Sequence, residues 1–232
     1  MTLGKMDLSN CTMIPSFVRS SRLVFMIGVL IPTTKSLDTV APLSITILDT
    51  KVTNCDIPIS VSASPNKTSI TILYDTSKSN GTTPDVLAWT DSASNTESVC
   101  TVCSVLKWDS NLYGLITSLD YDFYHRLDEG LLEQVASIIT KDNGTAEEYF
   151  DFSYVYGSPE TSLTTLTHSI QANNSEAVVL DPTRSTDSFC VQTAFRMYNR
   201  VGVGNASGEI SRRSVFTMGV NIAWQALKPV KR

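Results

Sequence analysis

From Ser214 to Trp224 the chain alternates, with Phe216, Met218, Val220, Ile222 and Trp224 on even positions and Val215, Thr217, Gly219, Asn221 and Ala223 between them. A period of two sends five large apolar side chains to one face of an extended segment, as a half-buried strand requires. The rhythm recurs in Leu43, Ile45 and Ile47, in Ile57, Ile59 and Val61, and in Ile70, Ile72 and Tyr74, with Pro, Asn, Ser and Asp clusters as turns between them. Val86 to Trp89, Val99 to Trp108, Tyr113 to Leu119, Phe150 to Tyr156 and Val178 to Leu180 are further strand candidates. Cys190 to Tyr198 fits a strand or a helix. Leu23 to Ile31 is a near-continuous apolar run of nine residues, suited to a strand covered on both faces and far short of the ~20 a membrane-spanning helix needs. Asp75 to Thr83 reads as an exposed loop and Gly157 to Asn174 as an unpatterned Thr- and Ser-rich stretch.

One segment changes period. Leu131, Leu132, Val135, Ile138 and Ile139 fall at i, i+1, i+4, i+7 and i+8, which predicts an amphipathic helix over about 128–141, with Asp128 as N-cap and Asn143-Gly144 as the stop. The expected fold is therefore mainly β: an antiparallel β sandwich or jelly roll with one inserted amphipathic helix. It divides into an irregular N-terminal arm at 1–22, a single sandwich domain at 23–226 and a basic C-terminal tail at 227–232.

At 232 residues the chain is long enough to build a core without disulfides or a metal. Charged residues make up only 18% of it, and Ser, Thr and Asn supply the remaining polarity, a mixture that suits pleats and turns. A net charge of -5 means that the overall field does not draw the molecule onto nucleic acid, so such binding must be local. Cations cluster at Arg19 and Arg22, at Arg212 and Arg213, and at Lys228, Lys231 and Arg232. They read either as solvated strand ends or as phosphate contacts, and in the second case they are the candidate nucleic-acid-binding residues.

Five cysteines, Cys11, Cys55, Cys100, Cys103 and Cys190, form an odd set without regular spacing, which predicts reduced thiols in a cytosolic setting. Six sequons, at Asn10, Asn66, Asn80, Asn143, Asn173 and Asn205, are expected by chance in a chain this rich in Asn, Ser and Thr, and no secretory signal opens the sequence.

Reactive chemistry finds little purchase. The two histidines, His125 and His168, lack a Gly-x-Ser-x-Gly elbow to serve. His125 lies among Asp122, Arg126 and Asp128 and reads as a surface or core histidine near a helix start, and His168 reads as a loop residue. Cys100-Thr101-Val102-Cys103 lies in a strand pattern rather than at a helix N-terminus, and no second Cys or His pair completes a zinc site. Gly202 and Gly204 lack the helix of a phosphate loop, and Asp120 with Asp122, or Asp128 with Glu129, read as scattered carboxylates. The expectation is a non-enzymatic protein with no cofactor, no metal and no small-molecule substrate, acting through edges and faces.

Val24 to Pro32, then about ten polar residues, then Leu43-Ser44-Ile45-Thr46-Ile47-Leu48-Asp49-Thr50-Lys51, resembles the core of the thirty-kilodalton superfamily of plant-virus movement proteins. In that family an apolar strand and a short loop lead to a second strand ending apolar-x-Asp-x-Arg. Asp49 matches the family's aspartate and Lys51 stands in place of its arginine. The resemblance implies a jelly-roll-like viral protein that self-associates, escorts viral nucleic acid or nucleoprotein through plasmodesmata and meets host membrane or plasmodesmal proteins. It also implies a place in the host cytoplasm or at cell junctions. Asp49 would hold the fold or an interface, or else cap a turn at a strand end. The alternative is a virion structural protein, a matrix or capsid subunit on the same kind of sandwich, for which the arm before Leu23 is short of basic residues.

Overall fold

Extended backbone accounts for most of the described residues. The computed structural model describes residues 40–79, 81–91, 95–109, 111–141, 146–157, 162–169, 178–181, 186–199 and 206–227. These hold thirteen strands: β1 (Ile45–Thr53), β2 (Ile59–Ala63), β3 (Ser69–Asp75), β4 (Ala88–Thr90), β5 (Thr96–Trp108), β6 (Leu112–Leu127), β7 (Leu131–Lys141), β8 (Ala146–Tyr156), β9 (Ser162–Ser169), β10 (Val178–Leu180), β11 (Thr186–Asn199), β12 (Gly208–Ile210) and β13 (Val215–Ala226). One sheet has five strands in the order β1-β5-β11-β7-β8, the other has eight built around β2-β3-β13-β6, and all pairings are antiparallel.

The fold is an antiparallel β sandwich. Phe216, from the strand with the strictest alternation, stacks on Phe123 at 5.0 Å and meets Tyr74 and Phe195 edge-on at 5.5 and 5.0 Å. Phe195 belongs to the five-stranded sheet, so these rings join the two layers. Trp108 and Trp224 pack at 5.6 Å, and both indoles reach backbone acceptors at 2.8 Å, Leu112 O and Lys67 O. A buried indole N–H left without a partner would cost about 1–3 kcal/mol, a large part of what burying its ring gains.

β6 organises the larger sheet. Residue for residue, one of its edges is bordered by β13 and then β12, the other by β10 and then β9. β13 and β12 form one interrupted edge: Ile210 lies opposite His125 and Thr217 opposite Asp122, so the chain between them makes an excursion at Ser211–Ser214.

Several expectations are corrected. The predicted helix at 128–141 is strand β7, flanked by β11 and β8. Leu131, Val135 and Ile139 face inward as in a strand, but Glu133 and Ser137 alternate with them and are buried too, which breaks the apolar period. Asp128 is no helix cap: its carboxylate accepts the Ser207 N–H at 2.7 Å in the β6–β7 turn, where Gly130 adopts φ 91°. Cys190 to Tyr198 is extended, as part of β11, and the stretch taken as unpatterned contains β9 with His168 on it. The loop after β3 opens with a 3-10 turn, Thr76–Lys78, whose first residue is fully buried.

The thiol reading fails as well. Every cysteine among the described residues is paired, Cys55 with Cys100 and Cys103 with Cys190. Cys103 and Cys190 are register partners on β5 and β11, and Cys55, just past β1, is bonded to the middle of β5. No pairing could be read from five cysteines spaced irregularly. The arm at 1–22, the run Leu23 to Ile31, Cys11, Asn143-Gly144 and the tail beyond Leu227 lie outside the described residues.

Each bridge closes a long loop, the second over 87 residues, which in the chain-entropy picture is worth about 4.6 kcal/mol. The double substitution Cys103→Ala with Cys190→Ala is expected to lower the unfolding free energy by about 3 kcal/mol in urea titration, with a steeper slope because the released unfolded chain exposes more surface. A loss below about 1 kcal/mol would show that the cross-strand pair does not constrain the unfolded chain.

Candidate functional site

The two family-motif residues lie on β1, the outermost strand of the smaller sheet, which pairs only with β5 among the described residues. Ile45 and Ile47 pack inward against the core, but the register slips between Ile47 and Asp49, where Leu48 is the extra residue of a bulge. Such a slip exchanges the faces of everything after it. Asp49, Lys51 and Thr53 consequently lie opposite Val105, Cys103 and Thr101 on the outer face. Asp49 Oδ1 accepts the Thr50 N–H at 2.8 Å, a local strand-end bond. From Leu48 to Asn54 the chain is exposed on both faces, Leu48 by 52% and Val52 by 37%. Beside it runs a groove of about 540 Å³, lined among others by Asp49, Lys51, Thr101, Gln192 and the Cys103–Cys190 pair.

Arg212 and Arg213 sit together on the Ser211–Ser214 excursion, where Ser211 and Arg213 take left-handed φ of 48°. The bend is held from beneath. Buried Thr76 Oγ1 lies within hydrogen-bond range of the Ser211 and Ser214 carbonyls and accepts the Ser214 N–H at 3.0 Å. Hydrogen bonds from Ser77, then Lys78, hold Asp75 below the usual carboxylate range and fix the turn that carries Thr76. Above this support, Trp89, Glu209 and Arg126 form a row across β4, β12 and β6.

The Arg212 guanidinium lies 5.7 Å from the Trp89 ring centroid and 2.7 Å from Glu209, while Arg126 meets the same carboxylate at 3.5 Å. Arg213 pairs with Asp85 at 3.0 Å. Both predicted cations thus meet carboxylates, Arg212 sharing its own with Arg126, and the exposed aromatics Trp89 and Tyr124 add apolar surface to the patch. Trp89 also borders a cleft of about 460 Å³ that reaches the Cys55–Cys100 bridge. Arg19, Arg22, Lys228, Lys231 and Arg232 lie outside the described residues.

The acid-base candidate has gone inward. His125 Nδ1 lies 3.1 Å from Glu133 Oε2, bridging the sheets inside the core. Next to it, Tyr121 donates to Ser137, which shares a 3.0 Å bond with Thr193. Burial pushes the Glu133 carboxyl above its ordinary range, and His125 pulls it only part of the way back. Its other oxygen, Oε1, is buried with no hydrogen-bond partner among the described residues. The sequence offers no signal for Glu133, because nothing in its neighbourhood distinguishes it from a surface glutamate.

No family model and no curated protein matches the chain. Among solved structures, the carbohydrate-binding module TmCBM61 in complex with β-1,4-galactotriose shares 9% identity at a TM-score of 0.25, over 75% of this chain and 86% of that one. A family 11 carbohydrate-binding module from Clostridium thermocellum shares 9% at 0.22, over 79% and 88%. The enzymatically active domain of tailspike protein 4 from bacteriophage CBA120 shares 6% at 0.26, over 77% of this chain and 19% of that one. At such scores these likenesses assign no ligand and no activity to this chain.

Two measurements bear on these residues. Glu133 has a folded pKa above its unfolded value of 4.5, so its favourable contribution is complete below pH 4.5 and is lost as pH rises through the folded value. Glu133→Gln removes that dependence, so its unfolding free energy relative to the parent is expected to improve as pH rises from 4.5 to the folded value and to level off above it; a constant offset would place the carboxyl at its ordinary pKa. Because Arg212 and Arg213 are each engaged by a carboxylate, Arg212 sharing Glu209 with Arg126, replacing both with Gln should leave the log–log salt slope of single-stranded RNA retention unchanged, whereas phosphate contacts would lower it by about 0.7 per arginine.

Proposed function

We propose that the protein works by self-association, as a subunit of an assembly built from copies of this chain, and that β1 is the edge through which copies join. The carrying observation is that strand, paired only with β5 among the described residues, exposed on both faces from Leu48 onward and bearing one anion and one cation on the same face. Pairing two copies antiparallel about an axis at Thr50 sets Asp49 of each opposite Lys51 of the other, and brings exposed Leu48 next to Val52. The arrangement is self-complementary, as an isologous dimer contact must be. The continued main-chain ladder supplies affinity, and the charge pairs supply register.

The viral setting rests on the resemblance, whose two motif residues fall at the centre of this register. A virion structural role, as a matrix or capsid subunit, comes first in our reading because both bridges suit a surface that persists under oxidising conditions. The cell-to-cell movement reading, with viral nucleic acid as cargo and plasmodesmata as its place of action, comes second. In it the same edge would join copies along the cargo.

Sedimentation velocity on the full chain tests the edge. The parent is expected to associate with rising concentration. Asp49→Lys and Lys51→Asp should each weaken association roughly tenfold, from about 0.7 kcal/mol at each of two pairs, and the double exchange should restore it. A double exchange as weak as either single one would remove β1 from the contact.

A further inference from the structure

We infer that the chain matures in an oxidising, glycosylating compartment and carries an N-linked glycan on Asn66. Two independent observations meet in this inference. The first is cysteine pairing: all four cysteines among the described residues are bridged, and they tie β5 both to β11 and to the chain just after β1. Each bridge forms by loss of two electrons and two protons to a thiol–disulfide oxidant, which secretory compartments supply and a reducing cytosol does not sustain.

The second is the place of the sequon Asn66-Lys67-Thr68. It forms the tip of the β2–β3 hairpin, with Asn66 and Thr68 both exposed. The turn closes on itself through Ser64 N–H to Ser69 O and Lys67 N–H to Ser64 O, both at 2.9 Å, with Lys67 at φ 61°. Asn66 Oδ1 accepts the Ser64 hydroxyl at 2.6 Å and the Thr68 N–H at 3.4 Å. The carboxamide is thereby held by its oxygen end, and the sugar-bearing atom is the nitrogen at the other end. The hairpin tip is anchored to the core by backbone, since the Lys67 and Thr68 carbonyls accept the Trp224 indole and the Ile222 N–H. A glycan on an exposed Asn66 side chain displaces none of these bonds.

An acceptor asparagine must lie where a bulky, hydrated group can be added, which restricts it to surface turns.

The transfer balances without redox change. Nδ2 of Asn66 forms a bond to C1 of an oligosaccharide held on a lipid-linked pyrophosphate donor. The C1–O bond to pyrophosphate breaks, the amide gives up one proton, and the lipid pyrophosphate departs.

The test uses the full chain behind a cleavable secretory leader in cultured eukaryotic cells, with peptide mapping of the secreted product. Asn66 is expected to be glycosylated, and the glycan-releasing amidase should leave aspartate at that position. Thr68→Ser should keep the glycan, and Thr68→Val, which preserves the Asn66 amide and the backbone acceptor at position 68, should lose it. Thiol alkylation without reductant should leave Cys55, Cys100, Cys103 and Cys190 unlabelled. Recovery of a secreted, protease-resistant chain with Asn66 bare would overturn the assignment. So would retention of the leader-bearing chain in cells where the leaderless one folds in the cytosol with free thiols.

Discussion

The contact on which the rest depends is the ring cluster about Phe216. Tyr74 from β3, Tyr121 and Phe123 from β6 and Phe195 from β11 all lie within 5.9 Å of it, centroid to centroid. Each fully buried ring contributes about 1.5–3 kcal/mol through removal from water, and the edge-on and offset pairs add about 0.5–1.5 kcal/mol each. Because the cluster draws on both sheets, it fixes which faces meet. Every surface feature inherits its position from that choice: β1 lies at the rim of one layer, and the Arg212–Trp89 row lies on the back of the other.

A line of buried polar groups runs beside the rings. Tyr121, Ser137 and Thr193 exchange hydrogen bonds between layers, and His125 meets Glu133 one step further along β6 and β7. Such groups stabilise little beyond their desolvation cost, but they tolerate only one alignment, since a slip would leave several donors and a carboxylate unpaired. They also account for the main error of sequence reading. With Glu133 and Ser137 inward, the apolar residues of β7 space themselves as on a helix, and only the partners His125, Tyr121 and Thr193, distant in sequence, make the strand legible. The β-branched residues Val135, Ile138, Ile139 and Thr140 were the available counter-signal.

Elsewhere legibility followed the range of the interaction. β13 and β3 stood out because one face of each is buried and the other is not. Asp49 and Lys51 stood out as a motif, yet the Leu48 bulge that turns them outward depends on the pairing with β5. Arg212 and Arg213 were seen as a basic pair, but Glu209, Asp85 and the support from Thr76 become neighbours only once the sheet has formed. Cysteine pairing was invisible for the same reason: its partners are 45 and 87 residues apart.

The double border of β6 has a consequence for synthesis. Its side chains at Ser118 and Asp120 await Asn221, more than a hundred positions downstream. At about 5–20 residues per second, the ribosome releases that partner roughly 5–20 s after the strand itself has emerged. Throughout that interval a sixteen-residue segment with a largely apolar face stands without its neighbour. The order in which its segments leave the tunnel thus leaves one border of β6 unpaired through the last part of synthesis, the kind of strand edge that holding chaperones shield.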